Sequence, residues 1–259
     1  MAAALSAAAM FLFKDSYSGK ETKRNNSMKY KAAIFDMDGT ILDTISDLAN
    51  AVRYSMRAGD HTDDFAEDKV RFFFGSGAHV AFQRALACEA GETPEEYLQI
   101  GFSRDYLPDE AARLQEIFAE YYPNHCEECT KAYPGLTEAL DELRGAGVRL
   151  AVVSNKIDPA VQILAEQYFP GRFDFALGIS ENNRRKPYPD MLEKCLQAME
   201  VSREDVVYVG DSEVDIQTAA NMGVPCISVA WGSRSEEFLR SHGAKEIICD
   251  TAELTTVIL

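Results

Sequence analysis

The sequence predicts an α/β protein: a doubly wound parallel sheet into which an all-helical domain is inserted. Three observations predict it. An apolar run, Ala32-Ala33-Ile34-Phe35, ends in two carboxylates, Asp36 and Asp38, followed by Gly39 and Thr40. Between residues 47 and 130 apolar residues recur at helical spacing only. From Tyr133 onward helix and strand patterns alternate, as they do when parallel strands are covered on both faces by helices.

The first strand sets the frame. On an extended chain residues i and i+2 point to one side, so Asp36 and Asp38 arrive together at the carboxyl-terminal edge, where open α/β sheets bind ligands. Two like charges that close require a cation beside them or a proton on one of them. Either remedy suits chemistry on a phosphate ester, because a hard cation takes oxygen ligands and a protonated carboxyl is an acid. Taken alone, Asp-x-Asp-Gly is also an ordinary strand-to-turn junction. Next, Ile45, Leu48, Ala49 and Val52 fall at i, i+3, i+4 and i+7, an amphipathic helix. The helical region continues to about residue 130 through Val70 to Phe74, a Gly75-Ser76-Gly77 turn, Val80 to Ala87, and the stripe Leu114, Ile117, Phe118 and Tyr121. No strand is expected between Thr44 and Thr130.

After Pro134-Gly135, Leu136, Ala139, Leu140 and Leu143 form a helix stripe. Strands are expected at Arg149 to Val153, Phe175 to Ile179, Val206 to Val209, Cys226 to Val229 and Ile247 to Cys249. Asp158 is expected to cap the helix that Pro159 opens, and Gly223 to end the helix from Asp215 to Met222. The chain therefore divides into a leader (1–27), a core (28–46 and 131–259) and a helical insert (47–130). The leader is Ala-rich and then polar, lacks a basic region ahead of its short apolar run, and ends beside Met28, a natural start. It is expected to be loosely ordered and dispensable.

At 259 residues with 46% hydrophobic content, the chain is long enough to bury a substantial core. A net charge of −16 argues against nucleic acid as a partner, which requires a basic face, and no stretch is apolar enough to suggest a membrane partner. Six cysteines scattered over so long a chain suit a reducing, cytoplasmic compartment. Cys126 and Cys129 after His125 have the inner spacing of a zinc knuckle but no second pair to complete it, so the end of a helix is the plainer reading.

Polar residues gather at four predicted strand or loop ends. The first is Asp36 and Asp38. The second is Ser154-Asn155-Lys156, whose hydroxyl and amide can donate to a phosphoryl oxygen or simply cap a helix. The third is Lys186, fixed by Pro187 and Pro189. The fourth is Asp211, with Asp215 about one helical turn later. An acidic cluster at one sheet edge makes sense with a cation.

In order and context these four segments resemble the motifs of the haloacid dehalogenase-like hydrolase superfamily, most of whose members are phosphatases with a Rossmann-like core. The resemblance spans Lys31 to Cys249. It implies Asp36 as the nucleophile that forms an aspartyl-phosphate and Asp38 as the acid/base. It implies Ser154, Asn155 and Lys186 at the phosphate, and Mg2+ held by Asp36, the Asp38 backbone carbonyl and Asp211, with Asp215 and Thr40 behind them. Residues 47–130 then resemble a helical cap. An aspartate at position 38 favours phosphoryl transfer over carbon–halogen cleavage. The phosphonate-cleaving members use an imine-forming cap lysine, and Lys69, the one lysine between Lys31 and Lys131, stands in surroundings that do not mark it as buried.

Val70 to Gly77, Val153-Ser154-Asn155-Lys156 and Ala230-Trp231-Gly232-Ser233-Arg234 look like the phosphoglycolate phosphatase branch. A small carboxylated phosphate monoester would require a cation, with Arg53, Arg71 and Arg84 as cap candidates that are otherwise solvated helix charges. Trp231 either covers the sheet edge or faces substrate. β-Phosphoglucomutase and pyrophosphatase are alternatives within the fold, and a non-catalytic binding module is an alternative outside enzymes. A monomer or a homodimer is expected.

Overall fold

The computed structural model describes residues 29–259; the leader expected at 1–27 lies outside them. β1 (Ala32–Phe35) is central, and its four residues are all buried, which suits an unbroken apolar run. β2 (Leu42–Asp43) follows at once. Five helices come next: α1 (Ile45–Ala58), α2 (Glu67–Val70), α3 (Ala78–Glu89), α4 (Pro94–Tyr97) and α5 (Pro108–Tyr121). A 3-10 turn, Tyr122–Asn124, leads back through β3 (Lys131–Ala132). The remainder alternates: α6 (Leu136–Gly145), β4 (Arg149–Ile157), α7 (Asp158–Tyr168), β5 (Phe175–Ile179), α8 (Asp190–Met199), β6 (Val206–Gly210), α9 (Glu213–Met222), β7 (Cys226–Val229), α10 (Glu236–Ser241), β8 (Glu246–Ile248) and α11 (Glu253–Ile258).

Six strands pair in parallel in the order β5-β4-β1-β6-β7-β8. Because β1 lies between β4 and β6, their carboxyl ends meet at one rim. Phe35 is level with Val152 on one side and Val209 on the other, so the next residues of all three strands emerge together. The doubly wound parallel sheet expected from the sequence is therefore present. One face packs on α6, α7 and α11 through residues such as Leu140, Leu164 and Leu254; the other packs on α8 and α9 through Met191, Leu196 and Ala219. Among the described residues no helix is long and apolar enough to cross a membrane.

The inserted helices have a core of their own, in which Val52, Phe73, Phe82, Leu86, Leu114 and Phe118 are buried together. A two-stranded antiparallel ribbon joins them to the sheet, with Leu42 opposite Ala132 and Asp43 opposite Lys131. Asp47, buried in the first turn of α1, accepts the backbone N–H groups of Cys129 and Thr130 and so fastens the outgoing chain to the returning one.

Several local expectations need correction. β4 runs on through Ser154, Asn155 and Lys156 to Ile157, so these residues lie on a strand rather than after it; the register shifts between Val153 and Ile157, which re-aims side chains at the rim. Asp158 is the first helical residue, not the cap, and its carboxylate accepts from Gly178 N–H at 2.8 Å. The helix expected through Val70 to Phe74 stops at Val70, because Arg84 gathers the carbonyls of Phe72, Phe73 and Phe74 into a turn. The last strand is Glu246–Ile248.

Candidate active site

Asp36 takes its backbone hydrogen bond from the ladder, donating N–H to Val209, and then leaves the sheet. The residue is 6% exposed, and Oδ1 is buried without a well-angled hydrogen-bond donor. The Lys186 Nζ stands 2.7 Å from that oxygen as an ion pair, but its well-angled hydrogen bonds go to Asp215 Oδ1 (2.8 Å) and the Tyr208 hydroxyl (3.1 Å). Burial pushes the Asp36 carboxyl well above the ordinary range; the Asp215 and Asp211 charges push the same way and Lys186 pulls against them. For Lys186 burial works downward, yet the Asp215 and Asp36 carboxylates outweigh it and raise the ammonium above its usual value.

Asp211 follows β6 and is also buried. Its Oδ2 accepts from Ser233 N–H at 2.6 Å and its Oδ1 from the Thr40 hydroxyl at 3.4 Å. Burial and the Asp215 charge push its carboxyl up to about 6. Gly39 and Gly232 hold backbone against this carboxylate: a Cβ at Gly39, where φ is +82°, would sit 2.2 Å from Oδ2, and one at Gly232 would sit 2.5 Å from it. Asp215 lies behind, in the first turn of α9, with Oδ2 accepting from Ser212 N–H and hydroxyl.

These residues fit a divalent cation. Asp36, Asp211 and Asp215 each bring a carboxylate oxygen within 4.8 Å of the others, all buried. The set is oxygen only, its buried Asp36 Oδ1 is met by the Lys186 ion pair alone, and it sits in a cradle that no Cβ can enter. Hard cations such as Mg2+ take such ligands. Each Asp215 oxygen already accepts from two donors, whereas each Asp211 oxygen accepts from one, so Asp36 and Asp211 keep more capacity to coordinate.

Asp38 stands apart from that cluster. Its Oδ1 accepts from the Thr44 hydroxyl at 2.8 Å and lies 3.1 Å from Lys156 Nζ. Asp36, Asp38, Ser154, Lys186 and Asp211 all line one cavity of ≈190 Å3, roofed by the helical insert through Phe74, Gln115, Phe118 and Tyr122. Asn155 lines it too, but not with free polar atoms. Its Oδ1 accepts from Lys186 N–H, and its Nδ2 donates to the carbonyls of Lys186 and Gly75, so it ties two loops together instead of meeting a phosphate as expected.

The cap arginines separate cleanly. Arg53 donates to the Phe65 carbonyl, and Arg84, far from a solvated charge, is wholly buried among carbonyls. Arg71 alone of the three lines the cavity, with one hydrogen bond, to Gly232 O at 3.3 Å. Trp231 is not in the lining; its indole N–H donates to Thr40 O and braces the Asp36–Thr40 loop. Lys69 is exposed and away from the cavity, which leaves nothing for an imine reading. Cys126 is buried and Cys129 exposed, and the acidic trio above is the one metal-ligand cluster among the described residues. Sequence reasoning assigned nothing to Lys156, Tyr122, Arg234 or Glu213. Arg234 is buried, donates to Glu213 and to the carbonyls of Arg71 and Phe74, and so joins the core rim to the cap. The one signal in the sequence was that Lys156 and Arg234 each close a quoted motif, Ser154-Asn155-Lys156 and Ala230-Trp231-Gly232-Ser233-Arg234.

A buried carboxylate cluster at the rim of a doubly wound sheet, closed over by helices, is the setting of an enzyme that works on a small ligand with acidic side chains. The chain belongs to the haloacid dehalogenase-like hydrolase family, whose profile matches residues 33–229. It is 30% identical to the phosphoglycolate phosphatase of Escherichia coli (strain K12), over 78% of this chain and 82% of that protein. It is 29% identical to that of Vibrio parahaemolyticus, over 88% and 96%. A crystal structure from Lactobacillus delbrueckii subsp. bulgaricus, described provisionally as a phosphoglycolate phosphatase, superposes with a TM-score of 0.87 at 48% identity, covering 90% of this chain and 99% of that one.

Proposed function

We propose that the protein is a magnesium-dependent phosphatase of a small carboxylated phosphate monoester of the phosphoglycolate type, acting through an aspartyl-phosphate on Asp36. The observation that carries this reading is the unequal setting of its two paired aspartates. Asp36 is buried in an ion pair with Lys186, while Asp38 is partly exposed and held by Thr44 and Lys156. Such a difference lets one carboxyl attack phosphorus and the other carry a proton.

In the first half-reaction an Asp36 oxygen forms a bond to phosphorus as the bond from phosphorus to the ester oxygen breaks. The electron pair stays on that oxygen, which takes a proton from Asp38 and leaves as the alcohol. In the second, water gives a proton to Asp38 and attacks phosphorus; the bond to Asp36 breaks, its carboxylate is restored and inorganic phosphate departs. Lys186 and Ser154 orient phosphoryl oxygens. Asp36, the Asp38 carbonyl and Asp211, with Asp215 and Thr40 behind, would hold magnesium, which would supply positive charge against the phosphoryl group.

The cavity is below the roughly 300–1,000 Å3 usual for drug-sized ligands, which favours a compact ester. Arg71 is the cap cation left to meet its carboxylate. All six cysteines are free thiols, which suits a cytoplasmic setting. A panel of phosphoglycolate, pyrophosphate, nucleotides, and β-glucose 1-phosphate primed with glucose 1,6-bisphosphate, run with and without Mg2+, tests the reading. The expected result is Mg2+-dependent phosphate release with the highest kcat/KM on phosphoglycolate. Isomerisation of the sugar phosphate without net phosphate release would make the protein a mutase. Folded protein releasing no phosphate from any substrate would leave a binding module.

A further inference from the structure

Lys156 is a buried cation whose only described acidic contact is Asp38, and its other partner comes from the cap. Its Nζ lies 3.1 Å from Asp38 Oδ1, donates to the Tyr122 hydroxyl at 2.8 Å and sits 4.7 Å from the centre of that ring. Lys156 is on β4, whereas Tyr122 is in the 3-10 turn that closes α5. The lysine therefore connects the roof of the cavity to the carboxyl on its floor.

We propose that Lys156 is a positioning residue for the acid/base step, and that the cap engages it through the Tyr122 hydroxyl. An ammonium has three donors and no acceptor, so the carboxyl oxygen facing it has to be an acceptor. Oδ1 already takes the Thr44 hydroxyl as well. A proton carried by Asp38 is thereby assigned to Oδ2, which has no hydrogen-bond partner among the described residues, and that oxygen is presented to the leaving group. Tyr122 fixes Lys156 from above, so the carboxyl is fully ordered when the cap lies on the core, as it does here. A cap-borne hydroxyl that orders a floor carboxyl ties proton delivery to closure, which guards the site against premature reaction with water.

The inference rests on the reading of Asp38 as the acid/base, and the test separates the two. Lys156→Met and Tyr122→Phe are assayed beside wild type and Asp38→Ala on phosphoglycolate, ethyl phosphate and 4-nitrophenyl phosphate. Because kcat/KM reports the step in which the alcohol departs, an alkoxide that needs a proton suffers and a nitrophenolate that does not is spared. Both variants are expected to lose about tenfold or more in kcat/KM on the two alkyl esters relative to their loss on the aryl ester, with Tyr122→Phe the milder. Asp38→Ala shows the same split more strongly. If Asp38→Ala shows no split, the acid/base reading itself fails. If it does and both lysine-pathway variants lose equally on all three esters, or lose nothing, the inference is overturned. A loss confined to phosphoglycolate and seen as a raised KM also overturns it, since Lys156 would then bind the substrate's carboxylate. Tyr122→Phe keeps the buried ring, so the test survives if Lys156→Met does not fold.

Discussion

At the scale of single residues, the site is a charge balance kept by one lysine. Lys186 is the buried cation in contact with Asp36 and Asp215, and Asp211 stands beside them. Replacing it by methionine leaves buried carboxylates uncompensated, which is far costlier than losing a surface pair. Lys186→Met is expected to lower stability by about 3–5 kcal/mol at neutral pH, read from urea denaturation; an unchanged midpoint would show that the carboxylates take up protons in place of the lysine's charge. Gly39 is the second sensitive position. A methyl there meets Asp211 Oδ2 and adopts a backbone angle that suits glycine. Gly39→Ala should weaken Mg2+ binding by about tenfold or more by calorimetry while the sheet survives. Unaltered affinity would remove Asp211 from the ion. Asp36, Asp38 and Asp211 were legible in the sequence because each ends an apolar strand. Asn155 and Arg84 were not, because a motif gives the residue type at a rim without saying which of its atoms neighbouring loops have already taken.

At the scale of elements, the cap is held by a ribbon and a few polar fasteners. His61, just after α1, is one: Nδ1 meets Glu89 on α3 at 2.7 Å and Nε2 meets Glu110 on α5 at 3.0 Å. Partial burial lowers its pKa, but hydrogen bonds to the two glutamates prevail and raise it above 6.5. A raised imidazole value means that the folded state favours the proton. Its contribution is complete below the ordinary value and is lost as pH climbs through the folded one. The Tm difference between wild type and His61→Gln should therefore shrink as pH rises above about 6.5; a difference independent of pH would show that the glutamates do not hold a charged ring. The long alternating helices and strands were readable from periodicity. The β2–β3 ribbon was not, since two residues per strand carry no period. The Val70–Phe74 segment misled because its apolar residues are gathered by a buried arginine rather than by a helix face.

At the scale of the whole molecule, the strand order brings segments more than 170 residues apart in sequence to one rim, and the cap closes over them through Arg234, Asn155 and Lys156. Which strands neighbour one another was not legible in the sequence, because alternation alone fixes a parallel sheet without fixing its order. The overall negative charge is compatible with a phosphate ester, since a cation on the acidic trio would join Lys186 and Arg71 in reversing the potential locally. The chemistry proposed for that rim is covalent. Acid quenching during turnover of phosphoglycolate with Mg2+, followed by peptide mass spectrometry, tests it most directly. The account predicts one phosphoryl group on the peptide carrying Asp36, absent from Asp36→Asn, which should retain its fold and lose on the order of 10⁴-fold or more in activity. A phosphoryl group on another residue, or rapid phosphate release by Asp36→Asn, would contradict it.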